Sequence, residues 1–470
     1  MDLTQSRVES ASPRIDAVMG EIRRRIAARI LTPGAKLPSV RALAKALTVS
    51  TSTVVEAYER LVAEGAIRSR PGSGFYVASQ LTPLSLADIG PKLDRQVDPF
   101  WVSRLALEGG QGFAMPGCGW LPPSWMPEEA LRKALRTLSR ASADVLTDYA
   151  TPLGLLPLRQ LLARRMAESG LVVSADQILL VDSGTQAIDM ICRFLLEPGQ
   201  TVLVDDPCYF NFHALLRAHR VKVIGVPYTA DGPDVALFEK ALEEHRPRLY
   251  ITNSAIHNPT GAVLSPVNAH RLLMLSERAG LTIIEDDIFA DFEITKAPRL
   301  AAFDALDRVI QIGSFSKALS ASARCGYIVT RKEWLDALVD MKIASNFAGS
   351  QMSEALVLEV LKDGSYRRHM EALKARLSKA RASLIPTLRQ LGIEPWIEPQ
   401  AGLFLWCQLP LGVDAADVAR HALAENMVLA PGNVFSQSDT ASSFMRFNVS
   451  QCDHPQFADI LERAIKLARR

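Results

Sequence analysis

The sequence predicts two unlike parts: a small basic unit of helices closed by a β-hairpin, and a large α/β body on a mainly parallel sheet covered by helices on both faces. Three observations carry this. Charge is split, because residues 1–80 hold 12 Lys+Arg against 7 Asp+Glu while the rest carries a slight acidic excess; the total of +2 hides the asymmetry. Apolar spacing is helical at the front and turns into near-continuous β-prone runs after Gly109. Composition, with 48% hydrophobic and 22% charged residues over 470 positions, is that of a folded chain of several domains; it excludes disorder, collagen repeats and a disulfide scaffold.

In the front part, Ile15, Val18, Met19, Ile22, Ile26 and Ile30 recur at helical spacing between Pro13 and Leu31, and Thr32-Pro33-Gly34 ends that helix. Pro38 and Ser39 open a second short helix that closes near Thr48. Ser50 stands at the N-cap of a third, from about Ser52 to Glu64, stopped by Gly65. The β-prone pieces AIRSR and FYVAS, joined by Pro71-Gly72-Ser73-Gly74, form a hairpin. Three helices with a tight turn between the second and third, then a hairpin, is the layout of a winged helix-turn-helix, whose third helix enters the DNA major groove. Between Arg23 and Arg70 there are ten Lys+Arg against three Asp+Glu. Arg41, Lys45, Arg68 and Arg70 lie on elements expected to face phosphates, and Ser50, Thr51, Ser52 and Thr53 offer hydroxyls at the start of the third helix. The run Leu37–Val77 closely resembles the GntR-type winged helix. Such domains commonly carry Arg where this chain has Thr51, so one guanidinium able to read guanine is missing.

Residues 81–108, with prolines at 83, 91 and 99, are expected to be a linker between a DNA-binding domain at 1–80 and a body at 109–470. In the body, strands are expected at ILLV (178), TVLV (201), RLYIT (248), LTIIED (281) and RVIQIG (308). Helices and loops divide them, which argues for a parallel sheet whose ligands lie beyond the strands' carboxyl ends. The unusual residues fall there. Ser183-Gly184-Thr185-Gln186 opens a helix and makes an anion site. Asp206-Pro207-Cys208-Tyr209 puts an aromatic after a strand, and His257-Asn258-Pro259-Thr260-Gly261 projects an amide from a turn. Glu285-Asp286-Asp287 ends a buried strand and needs a positive partner. Ser314-Phe315-Ser316-Lys317 places a lysine among small and apolar neighbours, a setting that lowers an amine's pKa; Arg324 follows seven residues on. Arg446 is an isolated cation in an apolar strand.

Together these suit an aldehyde cofactor bearing phosphate, which needs a lysine, an anion cradle and a carboxylate beside its pyridine nitrogen. Residues from about 110 onward resemble the fold-type I aminotransferases, which depend on pyridoxal 5′-phosphate (PLP); AGLFLW at 401 and APG at 430 resemble that family's small α+β domain. The resemblance implies that Lys317 holds the cofactor as an aldimine and that Asp286 pairs with the pyridine nitrogen. It further implies that Asn258 bonds the phenolic oxygen and Tyr209 stacks on the ring, while Gly184, Thr185, Ser314, Ser316 and Arg324 hold the phosphate. Tyr149 resembles the tyrosine that reaches the neighbouring subunit's phosphate, which implies a homodimer, and Arg446 would bind an effector carboxylate. The family usually has Tyr where this chain has Phe289.

A winged helix fused to such a body resembles the MocR-type subfamily of GntR regulators. The expected function is therefore a PLP-binding transcriptional regulator that senses an amine or amino acid by aldimine exchange at Lys317; the rival is a working aminotransferase with an accessory DNA-binding domain. The six scattered cysteines lack any CxxC, the first 30 residues lack an apolar signal core, and no second His lies at ligand spacing from His257. A cytoplasmic protein without a metal site is expected. The uncharged stretch 109–127 is rich in Gly and Pro and cannot form a spanning helix, so no membrane contact is expected either.

Overall fold

The structure, a computed structural model, describes residues 12–27, 31, 35–70, 73–78, 104–105, 107, 112–438 and 440–469. The chain divides into two compact units, Met1–Arg95 and Gln96–Arg470. Apart from Arg104, Leu105 and Leu107, the expected linker lies outside the described residues.

In the first unit, α1 (Ser12–Ala27), α2 (Val40–Leu47) and α3 (Thr51–Ala63) precede the hairpin β1 (Ile67–Arg70) and β2 (Gly74–Val77). Ser39 caps α2 by accepting from the Ala42 N–H, and Thr48, left-handed at φ 55°, ends it. Ser50 Oγ then accepts from the Thr53 N–H at 3.1 Å and starts α3, so three residues make the turn. The three helices close on Ile15, Val18, Ile22, Leu43, Val54 and Leu61, all buried. Tyr58, also buried, donates its hydroxyl to Pro38 O at 2.8 Å and ties α3 to the start of α2.

Among the described residues of the second unit, the larger sheet has the order β3-β10-β9-β8-β7-β4-β5-β6. Its members are β3 (Ile178–Val181), β4 (Thr201–Asp206), β5 (Lys222–Thr229), β6 (Gly232–Pro233), β7 (Leu249–Thr252), β8 (Thr282–Asp286), β9 (Val309–Ser314) and β10 (Gly326–Val329). From β9 through β5 all pairings are parallel. Alternate residues of each strand enter opposite cores. Leu203, Tyr250 and Ile283 pack with the helices Leu156–Ala167 and Pro266–Ala279, while Val204, Ile251 and Ile284 pack with Gly184–Leu195 and Leu335–Asn346. β10, antiparallel to both β3 and β9, has no counterpart among the expected strands. Gly326 admits it: a Cβ there would stand 2.9 Å from Gly313 O and from the Ser183 carbonyl carbon.

The smaller sheet is antiparallel, in the order β11 (Glu394–Pro395), β12 (Phe404–Gln408), β14 (Phe444–Asn448), β13 (Ala430–Pro431), with helices Ala415–Ala424 and Phe457–Ala468 packed together beside it. The expected AGLFLW and APG segments supply β12 and β13.

Candidate functional site

The loops that leave β3, β4, β7, β8 and β9 all open at the carboxyl edge of the larger sheet, where a cavity of about 290 Å³ lies. Nine of the residues to which the resemblance assigns a cofactor contact line it: Gly184, Thr185, Tyr209, Asn258, Asp286, Ser314, Ser316, Lys317 and Arg324. The helix Gly184–Leu195 starts there, capped by Ser183, so its first amides and its dipole face the cavity side by side with the Thr185 and Ser316 hydroxyls. Arg324, held at φ 44°, brings a guanidinium to the same wall.

Lys317 is the amine of the site. Burial, with the Arg446 charge beside it, pushes its pKa down to about 8 against the opposing pull of Asp286. Asp286 is pushed up to about 6 by burial, although the Ile288 N–H donates to its Oδ1 at 3.2 Å. A neutral amine is the form that attacks an aldehyde, so condensation of Lys317 with an added aldehyde is expected to speed up with pH and level off above about 8. An ordinary lysine would continue to gain until about pH 10.4. Stopped-flow absorbance across pH 6 to 10 measures this (roughly the range that separates the two values).

Arg446 is fully buried on β14, and burial holds its pKa down at about 10. It donates to Asn258 Oδ1 at 2.9 Å and to Gly117 O at 2.8 Å, with the Phe404 ring 4.2 Å from its guanidinium. It stands just behind the cavity wall. A Cβ placed on Gly119 would lie 3.7 Å from Lys317 Nζ and 3.8 Å from Arg446 Nη2, so the amine and the guanidinium border the same small space.

Tyr149 does not enter the cavity of its own chain; it is 78% exposed, its ring 4.8 Å from that of Phe347. Phe289 lines the cavity and packs edge-on against Phe404, leaving Tyr209 as the phenol among the lining residues. The positive partner that the acidic strand end required is Arg299. It donates to Asp287 Oδ2 at 2.9 Å and to Glu293 Oε2 at 2.6 Å, while Glu285 accepts from Ser254 and from the Leu300 and Ala301 amides. Sequence reasoning missed Asn253, which lines the cavity and donates to Asp286 O at 3.1 Å, as well as Gly119 and Trp120. The polar Asn253-Ser254 pair closing RLYIT was a usable signal; the segment around Trp120 offered only Gly and Pro.

On the first unit, Arg41, Lys45, Ser50, Thr51, Ser52, Arg68 and Arg70 are exposed and Thr53 is half-buried. The Ser50 hydroxyl is engaged with Ser52 and Thr53 as well as capping α3, whereas Thr51 stands exposed at the helix start. The Arg70 guanidinium lies 4.7 Å from the Tyr76 ring centroid, stacked on the hairpin.

Lys317, three hydroxyls, a helix N-terminus, Arg324 and the buried Asp286 around one cavity form a donor set that fits pyridoxal phosphate. The family model "Aminotransferase class I and II" matches residues 121–463, and "Bacterial regulatory proteins, gntR family" matches residues 14–77. The chain belongs to the MocR-type GntR regulators. This MocR-type chain is 30% identical to the uncharacterized HTH-type transcriptional regulator YdfD of Bacillus subtilis (strain 168), over 86% of each chain. It is 29% identical to the uncharacterized regulator YdcR of Escherichia coli (strain K12), over 95% of this chain and 96% of that one. Among solved structures, LysN of Thermus thermophilus, an alpha-aminoadipate aminotransferase complexed with N-(5'-phosphopyridoxyl)-L-leucine, superposes with a TM-score of 0.71 at 25% identity, covering 82% of this chain and 98% of its own. The GntR domain implies DNA as a partner, and the aminotransferase fold implies pyridoxal phosphate as cofactor. Among the described residues no helix is long and apolar enough to cross a membrane.

Proposed function

We propose that this regulator binds pyridoxal phosphate at Lys317 and senses an amine or amino acid there, in the cytoplasm, changing how paired DNA-binding domains (residues 1–80) hold DNA. The observation that carries the reading is the convergence of nine residues, from the ends of separate strands, on one cavity around a lysine of lowered pKa. Bound there, the cofactor supplies an aldehyde that condenses reversibly with amines. Asp286 would keep the pyridine nitrogen protonated, Asn258 would bond the phenolic oxygen and Tyr209 would cover the ring face. Gly184, Thr185, Ser314, Ser316 and Arg324 would grip the phosphate. Lys317 would hold the aldehyde until an effector amine competes for it, and Arg446 would hold the carboxylate of an amino acid by giving up the Asn258 or Gly117 bond.

Exposed Tyr149 supports a homodimer in which it reaches the site of the second copy, and the domain at 109–470 would carry that interface. Arg41, Lys45, Arg68 and Arg70 would meet phosphates, and Ser50, Thr51, Ser52 and Thr53 would meet phosphates or base edges. An effector alters DNA binding only by its differential affinity for two states of the dimer.

Phe289 favours sensing over sustained amino transfer, since no phenol at that position tunes the cofactor's phenolic oxygen. The test is a panel of amines and L-amino acids added to the loaded protein. Some are expected to move the absorbance band of the bound cofactor (roughly 400–430 nm for such chromophores) without multiple turnovers on a keto acid. Turnover at roughly 1–10³ s⁻¹ would establish the aminotransferase instead.

A further inference from the structure

The turn that presents Tyr209 belongs to the larger sheet and Arg446 to the smaller one, and a single segment joins them. Residues 432–438 leave β13 and run to that turn. There the Phe435 carbonyl accepts from the Cys208 N–H at 2.8 Å, and Ser438 Oγ donates to Asp206 Oδ2 at 2.5 Å. Gly225 makes room for this, because a Cβ on it would stand 2.9 Å from the same carboxylate.

His213 completes the fastening. Gln437 Nε2 lies 2.9 Å from His213 Nδ1, and an amide nitrogen only donates, so Nδ1 is the acceptor and the ring proton stands on Nε2. That N–H is shared between the Phe435 carbonyl at 3.4 Å and Cys208 Sγ at 3.3 Å. Burial lowers the imidazole's pKa and raises that of the Cys208 thiol, so both stay neutral and the pair is an anchor rather than a nucleophile.

The side chain of Phe435 faces the other way. Its centroid is 4.8 Å from the Arg446 guanidinium, with edge-on contacts to Phe210 at 5.3 Å and Trp406 at 5.5 Å. Phe210 in turn contacts Tyr209, with ring centroids 5.0 Å apart. One residue thus has its backbone bolted to the turn expected to stack on the cofactor and its ring set behind the arginine expected to receive a carboxylate.

We propose that His213 is a positioning residue for carboxylate recognition: through the Phe435 carbonyl it fixes the aromatic wall against which Arg446 is aimed, and so couples the carboxylate end of the effector to the Tyr209 turn. The inference rests on the sensing function proposed above. It distinguishes ligands with a carboxylate from those without one, which a merely structural role would not do.

The experiment compares an amino acid that moves the cofactor band with its decarboxylated amine, on loaded full-length protein. Half-saturation is read from absorbance and, independently, from the ligand-induced rise in melting temperature. In His213→Ala the amino acid is expected to bind about fivefold more weakly, the loss of roughly one net hydrogen bond, while the amine stays within about twofold. His213→Gln, whose amide nitrogen can reach the place of Nε2, is expected to restore the amino acid to within about twofold of wild type. Should His213→Ala fail to fold, the exposed Gln437→Leu provides the same comparison, with a smaller loss of about twofold to threefold confined to the amino acid. Equal weakening of both ligands, no change in either, or a Gln variant as impaired as the Ala variant overturns the proposal. A wild type that answers neither ligand overturns the sensing reading, and this inference with it.

Discussion

Lys317→Ala is expected to abolish the cofactor's visible absorbance and every spectral response to amines, while leaving the cofactor-free protein at least as stable as wild type. Lys317 lines the cavity as a desolvated amine beside the Arg446 charge, a setting that destabilises its ionised form and lowers its pKa to about 8. Removing it ends a repulsion from Arg446 that outweighs its attraction to Asp286, and among the described residues Lys317 makes no hydrogen bond. Among the described residues the buried lysine Lys342 lies outside the cavity and donates to Pro152 O at 2.8 Å, so it offers no substitute amine. Absorbance after loading and dialysis, with thermal melts of the cofactor-free forms, decides it. A persistent band would mean that another group holds the aldehyde.

Arg299→Leu is expected to destabilise the body by about 3–5 kcal/mol, the cost of leaving buried carboxylates without their cation. Arg299 is 3% exposed and its guanidinium is shared by Asp287 and Glu293, with the Ala297 carbonyl as a further acceptor. Burial already pushes Asp287 up, and Arg299 is what pulls it back. Without the arginine its pKa rises further above that of the unfolded chain. The folded variant then binds a proton that the unfolded chain releases, so its stability rises as pH falls and the deficit shrinks towards acid. Urea unfolding at pH 8 and pH 6 measures both magnitude and sign (conditions chosen to lie above the ordinary Asp value of about 3.9). A loss below about 1 kcal/mol, or one that grows towards acid, would show that the cluster is not held by this pair.

The parts of this architecture that were legible in the sequence are those fixed locally. Strands buried on both faces appear as unbroken apolar runs, and Ser39, Thr48 and Ser50 mark the ends of α2 and the start of α3 by capping chemistry. The cavity residues were legible because most of them end or follow a strand, and a parallel sheet brings such positions to one edge. What escaped depends on contacts that only the folded chain makes. β10 is recognisable only once Gly313 and Gly326 lie against each other. That Arg299 answers the acidic end of β8 follows from a fold-back no periodicity announces, and the fastening of His213 to Gln437 spans more than two hundred residues. Residues 116–120 carry no pattern at all, yet Gly117 holds Arg446 and Gly119 sets the gap to Lys317.

The proposed control of DNA binding by chemistry at Lys317 is tested by the affinity of the loaded full-length protein for the DNA flanking its own coding region. That affinity is measured at one fixed salt concentration with and without an amino acid that moves the cofactor band. Wild type is expected to change affinity by about fivefold or more on adding the amino acid, and Lys317→Ala not at all. An unchanged wild-type affinity, or an equal change in Lys317→Ala, would contradict the account.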